Sequence, residues 1–535
     1  MGVNISNGSN NVVLGNYIGT DETGTASLGN VQSGVFIVSG SANVVGGTAA
    51  GAGNLIAGNN QYGVLISDSV NRVEGNTIGT DFSGTAPLGN SVGVYISRGS
   101  ANVVGGTEPG AGNLISGNST GIIILANGNL VQGNRIGTDR TGTMAIGNNY
   151  GVSISSATTD TTLGGTTPAA RNIISGNHNE GVAIITSSRN LVLGNFIGTD
   201  ITGTRPLGNG TGVFLDGGSG NRIGGPAVGN LIAGNAGAGI LIMTTFSSAN
   251  FVQGNFIGTD VTGTADLGNG LNGVEISASS NNLIGGTEAG DANTIAHSGN
   301  NGVLIDRGTG NGVQQNSIFA SGNLGIALIN NGNNNQAFPV LTSAVSDGST
   351  TMVAGTLASA PNTIFTFEFF QNAVCNPSGF GEGESFLGSI TVMTDPAGNA
   401  EFTAEFGTPV DLDRFITATA TDPSNNTSQF SACIPVTPPG HPGLHGMPTP
   451  SADFGLRRFH AAFFSGQPDI THAPWAVSNP TFLPAINPSH ERGLVIDSRT
   501  IDALFVLENP SGSSSHQRDL PWPWTNDQGP IANDQ

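Results

Sequence analysis

The sequence predicts an all-β chain in three parts: a solenoid of about 11 stacked coils over residues 1–336, an antiparallel β-sandwich over 337–436, and a proline-rich tail over 437–535. Three observations carry that prediction. A thirteen-residue segment recurs five times, short and long periods alternate beneath it, and after residue 336 the apolar pattern changes to period 2.

The recurring segment reads Ile-Gly-Thr-Asp-x-x-Gly-Thr-x-x-(Leu/Ile)-Gly-Asn and occupies Ile18–Asn30, Ile78–Asn90, Ile136–Asn148, Ile197–Asn209 and Ile257–Asn269. Its aspartates, Asp21, Asp81, Asp139, Asp200 and Asp260, stand about 60 residues apart, a self-similarity that marks a stacked repeat. A finer unit opens on Asn16, Asn54, Asn76, Asn113, Asn134, Asn172, Asn195, Asn230, Asn255, Asn293 and Asn316, with steps alternating between 21–25 and 35–38 residues.

A short coil such as Asn54–Gly75 divides into NLIAGN, QYGVLIS and DSVNRVEG, three brief strands with apolar residues at alternate positions. Such a coil is too short for two packed helices. Its corners carry Gly and Asn, which tolerate a left-handed backbone at least cost. The long coils keep the same strands and add two insertions, the Thr-Asp loop after the first strand and a Gly-Gly-Thr segment after the third (Gly46–Gly53, Gly105–Gly112, Gly164–Ala170, Gly285–Ala292). Stacking at ~4.8 Å per coil predicts a rod on the order of 50 Å long, with Val and Ile in internal columns and the coil-opening Asn residues in a hydrogen-bonded ladder.

With units of the form G-(V/I)-x-I…N-x-(I/V)…N-x-I, residues 1 to about 336 resemble the bacterial right-handed parallel β-helix proteins of the pectate-lyase-like superfamily. The right-handed turn is implied by that resemblance and by the general crossover preference. The superfamily includes lyases, hydrolases, epimerases, phage tailspikes and non-catalytic surface proteins, so the resemblance implies a fold and leaves the activity open.

The chain has 36 acidic and 15 basic residues, every basic one an Arg, for a net charge of -21. That balance argues against nucleic acid or an anionic membrane as partner. No apolar run reaches the ~18 residues a membrane helix needs, so no membrane insertion is expected. Gly2–Ser6 already matches a repeat strand, so the chain reads as starting inside a coil, and an N-terminal portion is expected upstream of it.

Beyond Asn330–Gln336, the segments Thr351–Leu357, Thr363–Phe370, Glu384–Thr394, Ala400–Phe406 and Arg414–Ala420 alternate at period 2 between turn dipeptides such as Asp395-Pro396 and Asp422-Pro423. They predict a sandwich of six or seven strands of immunoglobulin-like type. The ending RFITATATDPSNNTSQFSACIPV resembles Ig-like modules attached to bacterial surface proteins. Cys375 and Cys433, the two cysteines of the chain, both lie here, which favours a disulfide and an oxidising compartment. Residues from Pro435 onward hold 15 of the 26 prolines and all 3 tryptophans, so a largely disordered tail is expected, with Leu494–Leu507 as one short ordered element.

Two chemistries are open to the Thr-Asp loops. Asp21, Asp81, Asp139, Asp200 and Asp260 are either weak Ca²⁺ ligands or Asx-turn residues, and the turn reading is preferred. Copies on alternate coils stand ~10 Å apart, too far to share an ion whose ligands sit at ~2.5 Å. Glycan cleavage needs clustered acids, yet the departures from the repeat (Asp68, Glu74, Arg98, Asp160, Glu180, Arg189, Asp216, Glu275, Asp306 and Arg307) scatter over different coils. Asp216 and Asp306 occupy equivalent positions three coils apart. His178 and His297 read as single, satisfied surface groups, and Tyr62, Tyr95 and Tyr150 as corner decoration.

The sequence therefore points to a secreted or cell-surface protein without enzymatic activity, a rigid spacer or adhesin-like shaft, with carbohydrate or another surface protein as partner and no cofactor except the Ca²⁺ alternative. The competing expectation is a polysaccharide-active lyase, hydrolase or epimerase.

Overall fold

The computed structural model describes residues 1–440, so the expected tail past residue 440, with its segment Leu494–Leu507, lies outside the described residues. Residues 3–329 form a parallel β-solenoid in which each coil adds one strand to each of three sheets. The wide sheet has 12 strands, from Val3–Ile5 to Ile326–Ile329. The middle sheet (Val12–Val13 to Gly312–Gln314) and the narrow sheet (Tyr17–Ile18 to Ser317–Phe319) have 11 each.

In-register stacking turns the alternating pattern into three internal columns. Ile66, Ile96, Ile124 and Ile154 lie on successive wide strands, Val45, Val73, Val104 and Val131 on middle ones, and Ile56, Ile78, Ile115 and Ile136 on narrow ones. All twelve are fully buried in one continuous core. Each such side chain contributes roughly 1.5–3 kcal/mol relative to exposure.

Asparagines close the corners. In the ladder from Asn16 to Asn316, the side-chain oxygen of one Asn accepts both the backbone and the side-chain N–H of the Asn one coil earlier. Asn76 N and Nδ2, for example, lie 2.9 and 3.0 Å from Asn113 Oδ1. Asn113 in turn donates to Asn134 Oδ1 and to Val73 O. The structure contains two further ladders. One runs through Asn43, Asn71, Asn102 and Asn129 and resumes from Asn190 to Asn333, and the other runs from Asn30 through Asn59 and Asn90 to Asn269. Glycine is obligatory beside them. Gly79, which opens the second Thr-Asp loop, has φ +91°, and a Cβ there would collide with Asn118.

The sandwich packs a three-stranded sheet (Val340–Ser346, Thr351–Ala358, Asn399–Phe406) on a four-stranded one (Ser385–Met393, Ile364–Asn372, Phe415–Thr421, Ile434–Pro435). Phe365, Phe367 and Phe369 alternate into its own core. Glu368 and Phe370, on the other face of that strand, point at the solenoid, where Phe370 and Phe430 join the rod's core.

Seen from the rod, the sandwich is its C-terminal cap. Ile318 and Gly383 exchange backbone hydrogen bonds of 2.8 and 3.0 Å, which extends the narrow sheet. Side chains of the sandwich accept four N–H groups at the last coil: Asn426 from Gly310, Thr427 from Val313, Glu368 from Gln315 and Glu382 from Ser321. A solenoid end leaves such donors unpaired unless something covers it. Burial pushes the Glu368 carboxyl up to about 7, against the opposing hydrogen bond from Gln315.

Two outcomes follow from this architecture. Asn113→Ala removes four side-chain hydrogen bonds of the ladder and should cost about 2–4 kcal/mol, read as faster amide hydrogen exchange in the coils between Asn76 and Asn134; unchanged exchange would contradict the ladder's role. Because Glu368 binds its proton more tightly folded than unfolded, its contribution is complete below the ordinary value of 4.5 and is lost as pH rises toward about 7. The loss amounts to about 3 kcal/mol. Unfolding of the cap should therefore come at lower denaturant at pH 8 than at pH 5, and Glu368→Gln should flatten that dependence.

Candidate functional site

The Thr-Asp loops lie along the narrow sheet. In the third copy, Asp139 Oδ1 accepts the N–H groups of Thr143 and Met144 at 2.9 and 3.0 Å, and Oδ2 accepts the Thr141 hydroxyl. Backbone bonds from Asp139 N to Met144 O and from Gly142 N to Asp139 O close the turn. Asp21, Asp81, Asp200 and Asp260 organise their loops with the same kind of donors, a Thr or Ser hydroxyl two residues on and backbone N–H groups four or five residues on. Hydrogen bonds from the Thr23 hydroxyl and the Ala26 N–H hold the Asp21 carboxyl below its ordinary value. At Asp139, burial pushes the other way and the hydrogen bonds prevail. Each loop thus centres on a carboxylate already engaged by its own donors, with Glu22 beside it in the first copy and Asp266 further on in the fifth. Among the described residues, no group of three or more His, Cys, Asp or Glu side chains is placed to hold a metal ion.

These loops do more than turn a corner. They fold over the outer face of the narrow sheet, where Ile173, Phe196, Leu231 and Leu267 form a small second core with Ile201 against it. Loops on alternate coils also lean together: Phe82 N donates to Gly24 O, Ile201 N to Gly142 O and Val261 N to Gly203 O, at 2.9–3.0 Å. Arg140 reaches back from the third loop to Phe82 O and Thr77 Oγ1. A continuous ridge results.

Between this ridge and the Gly-Gly-Thr segments runs a groove of about 570 Å³, lined among others by Tyr17, Thr48, Leu55, Thr77, Phe82 and Arg140. The Tyr17 and Phe82 rings lie 5.7 Å apart, and both side chains are substantially exposed. Neither a carboxylate nor a histidine lines the groove. Phe82 fills the x position after Asp81, so the repeat pattern itself held no sign of this aromatic pair.

Most of the departures from the repeat are engaged locally. Glu74 pairs with Arg72, Asp160 with Arg189 and Asp306 with Arg307, while Asp68 accepts Gly40 N and Ser69 N. Asp216 and Asp306 share one outward column of the wide sheet three strands apart, ~14 Å at the usual spacing. Glu275 and Asp306 come closer, on neighbouring strands of one face and two positions apart. Tyr62 and Tyr95 lie in strands of the wide sheet, their rings stacked at 4.7 Å, and Tyr150 begins another wide strand. They occupy the sheet rather than its corners because the Gly-Val strand begins at or before them. His178 Nδ1 lies 3.1 Å from Asn148 O, whereas His297 Nε2 is buried with no partner, unlike the surface group expected. Cys375 and Cys433 are disulfide-bonded beside the cap junction, with Cα atoms 6.0 Å apart.

No protein-family model matches this chain, and no curated protein matches it either. Among solved structures, the chain is similar to the enzymatically active domain of tailspike protein 2 of bacteriophage CBA120, at 12% identity over 68% of this chain and 69% of that one. The TM-score of that match is 0.20.

Proposed function

We propose that the protein is a non-enzymatic, secreted or cell-surface shaft whose lateral groove docks a carbohydrate. The observation that carries this reading is the groove's lining. Tyr17 and Phe82 offer apolar ring faces, Arg140 and the threonines offer polar contacts, and no carboxylate or histidine lines the groove to protonate a leaving oxygen or activate water. Mostly locally paired acids on the rod and a capped C-terminal end support a spacer role. The division of the sandwich into three and four strands supports an Ig-like module, and the Cys375–Cys433 pair supports an oxidising compartment. In this reading the five Asp loops shape the ridge as turns and carry no calcium.

The competing reading, a polysaccharide-active enzyme, has one observation of its own: Glu275 and Asp306 face the same way on adjacent strands, ~8 Å apart by strand geometry.

Phe82→Ala should weaken binding of an oligosaccharide found on a glycan array by about tenfold, and incubation with polyuronides should release no unsaturated or reducing-end products. Turnover lost in Glu275→Gln or Asp306→Asn would replace the shaft with the enzyme. Asp139→Asn should destabilise its loop by about 1 kcal/mol with or without millimolar calcium. A melting temperature raised by calcium in the parent and not in the variant would restore the metal reading.

A further inference from the structure

The third Asn ladder stops before it reaches the cap. Its corners read Gly58-Asn59, Gly117-Asn118, Gly176-Asn177 and Gly234-Asn235, but the last two coils carry His297-Ser298 and Ala320-Ser321 at this place. His297 and Ala320 keep the left-handed φ of the glycines they replace, 51° and 53°, a conformation unfavourable for side-chain-bearing residues. Serine is too short to reach the next coil. Ser298 Oγ, Ser321 Oγ and His297 Nε2 are all buried without hydrogen-bond partners, an uncommon state for polar atoms.

Against this break the sandwich leaves a half-open cavity of about 360 Å³, with Phe319, Ser321, Val374, Pro377, Glu382 and Glu384 in its wall. Glu382 and Glu384, two residues apart, both line it. Glu382 is 7% exposed, and its Oε1 accepts Ser321 N at 2.9 Å. Among the described residues its Oε2 accepts nothing. Glu384 accepts Ala373 N at 2.6 Å and has Arg414 Nη1 at 3.8 Å. From the rod, the titratable groups on this side are His297, edge-on to Phe319, and Asp266, 3.8 Å from the His297 ring. No Arg lines the cavity. Burial raises the Glu382 carboxyl above its ordinary value, against the hydrogen bond from the Ser321 N–H and the nearby His297 ring.

We propose that this cavity binds an organic cation, a primary ammonium or guanidinium on a short apolar stem. A buried carboxylate without a counter-charge is costly, and a cation entering beside it removes that cost. Glu382 Oε2 and Ser321 Oγ are two free acceptors for its N–H groups, while Phe319, Val374 and Pro377 accommodate methylenes. The volume lies in the range of small-molecule sites and exceeds what a bare metal ion fills. Such a cation belongs either to a free amine or to a Lys or Arg side chain of another protein.

Titration calorimetry of the full chain at pH 8 with n-pentylammonium, n-pentanol, pentanoate and the peptide Gly-Gly-Lys-Gly-Gly tests this. The ammonium should bind at least about tenfold tighter than the alcohol, pentanoate should give no heat, and affinity should fall as the pH is lowered and Glu382 takes up its proton. Tighter binding of the peptide than of the free amine assigns the source to a protein side chain, and the reverse order assigns it to a small amine. Glu382→Gln should abolish the preference for the charged ligand. Since Glu382 also tethers the cap, Ser321→Ala and Val374→Trp provide folded variants, checked by unchanged melting, in which binding should weaken about tenfold or more. Equal binding of amine and alcohol, parent-like binding by all three variants, heat with calcium but not with amine, or silence up to about 10 mM amine would each overturn the proposal.

Discussion

The solenoid depends on one hydrogen-bonding arrangement: an asparagine side chain at a coil corner that bridges to the coil before it and to the coil after it. A chain that turns three times per coil exposes backbone N–H and C=O groups at every turn, where sheet pairing cannot reach them. Asn satisfies both polarities at once. Its oxygen accepts from the neighbouring Asn, and its amide donates onward and to a backbone carbonyl, as Asn113 does with Asn76, Asn134 and Val73. Because each rung fixes the next, coils stack in register, and the Ile and Val columns follow from that register. Insertions are then tolerated only between rungs, which is where the Thr-Asp and Gly-Gly-Thr segments lie.

The same constraint shapes the end of the rod. A ladder has to end, and its last donors need acceptors from elsewhere. The sandwich supplies Asn426, Thr427, Glu368 and Glu382 to the final coil and inserts Phe370 and Phe430 into the apolar column. Two of those acceptors are carboxyl groups with little solvent around them, and burial raises both above their ordinary values. The junction is also where the third ladder lapses into Ser298 and Ser321.

Much of this was readable from residue order. The coil-opening asparagines named one ladder completely, and the five period-2 segments after residue 336 match strands of the sandwich to within two residues at each end. The other two ladders were missed because their Asn residues fall among many others in Asn-rich corners, with no apolar neighbour pattern to set them apart. The Thr-Asp loop was recognised as an Asp-centred insertion, but its folding over Leu231 and Phe196 depends on outward residues of two-residue strands, too short to show a face. Tyr17 and Phe82 are 65 positions apart and meet only because their coils stack.

What the sequence determined by itself is therefore local or marked by a clear period: strands, corners, coil length, one Asn ladder and the turn chemistry of Asp21 and its four counterparts, all set by contacts within a few residues or by repetition. Tertiary structure alone decided the ridge, the groove and the cap. The acceptors that finish the last coil stand 53 to 116 residues from their donors, and no spacing rule connects Gln315 to Glu368 or Gly310 to Asn426. Burial and charge at that junction arise only once two differently patterned segments pack together.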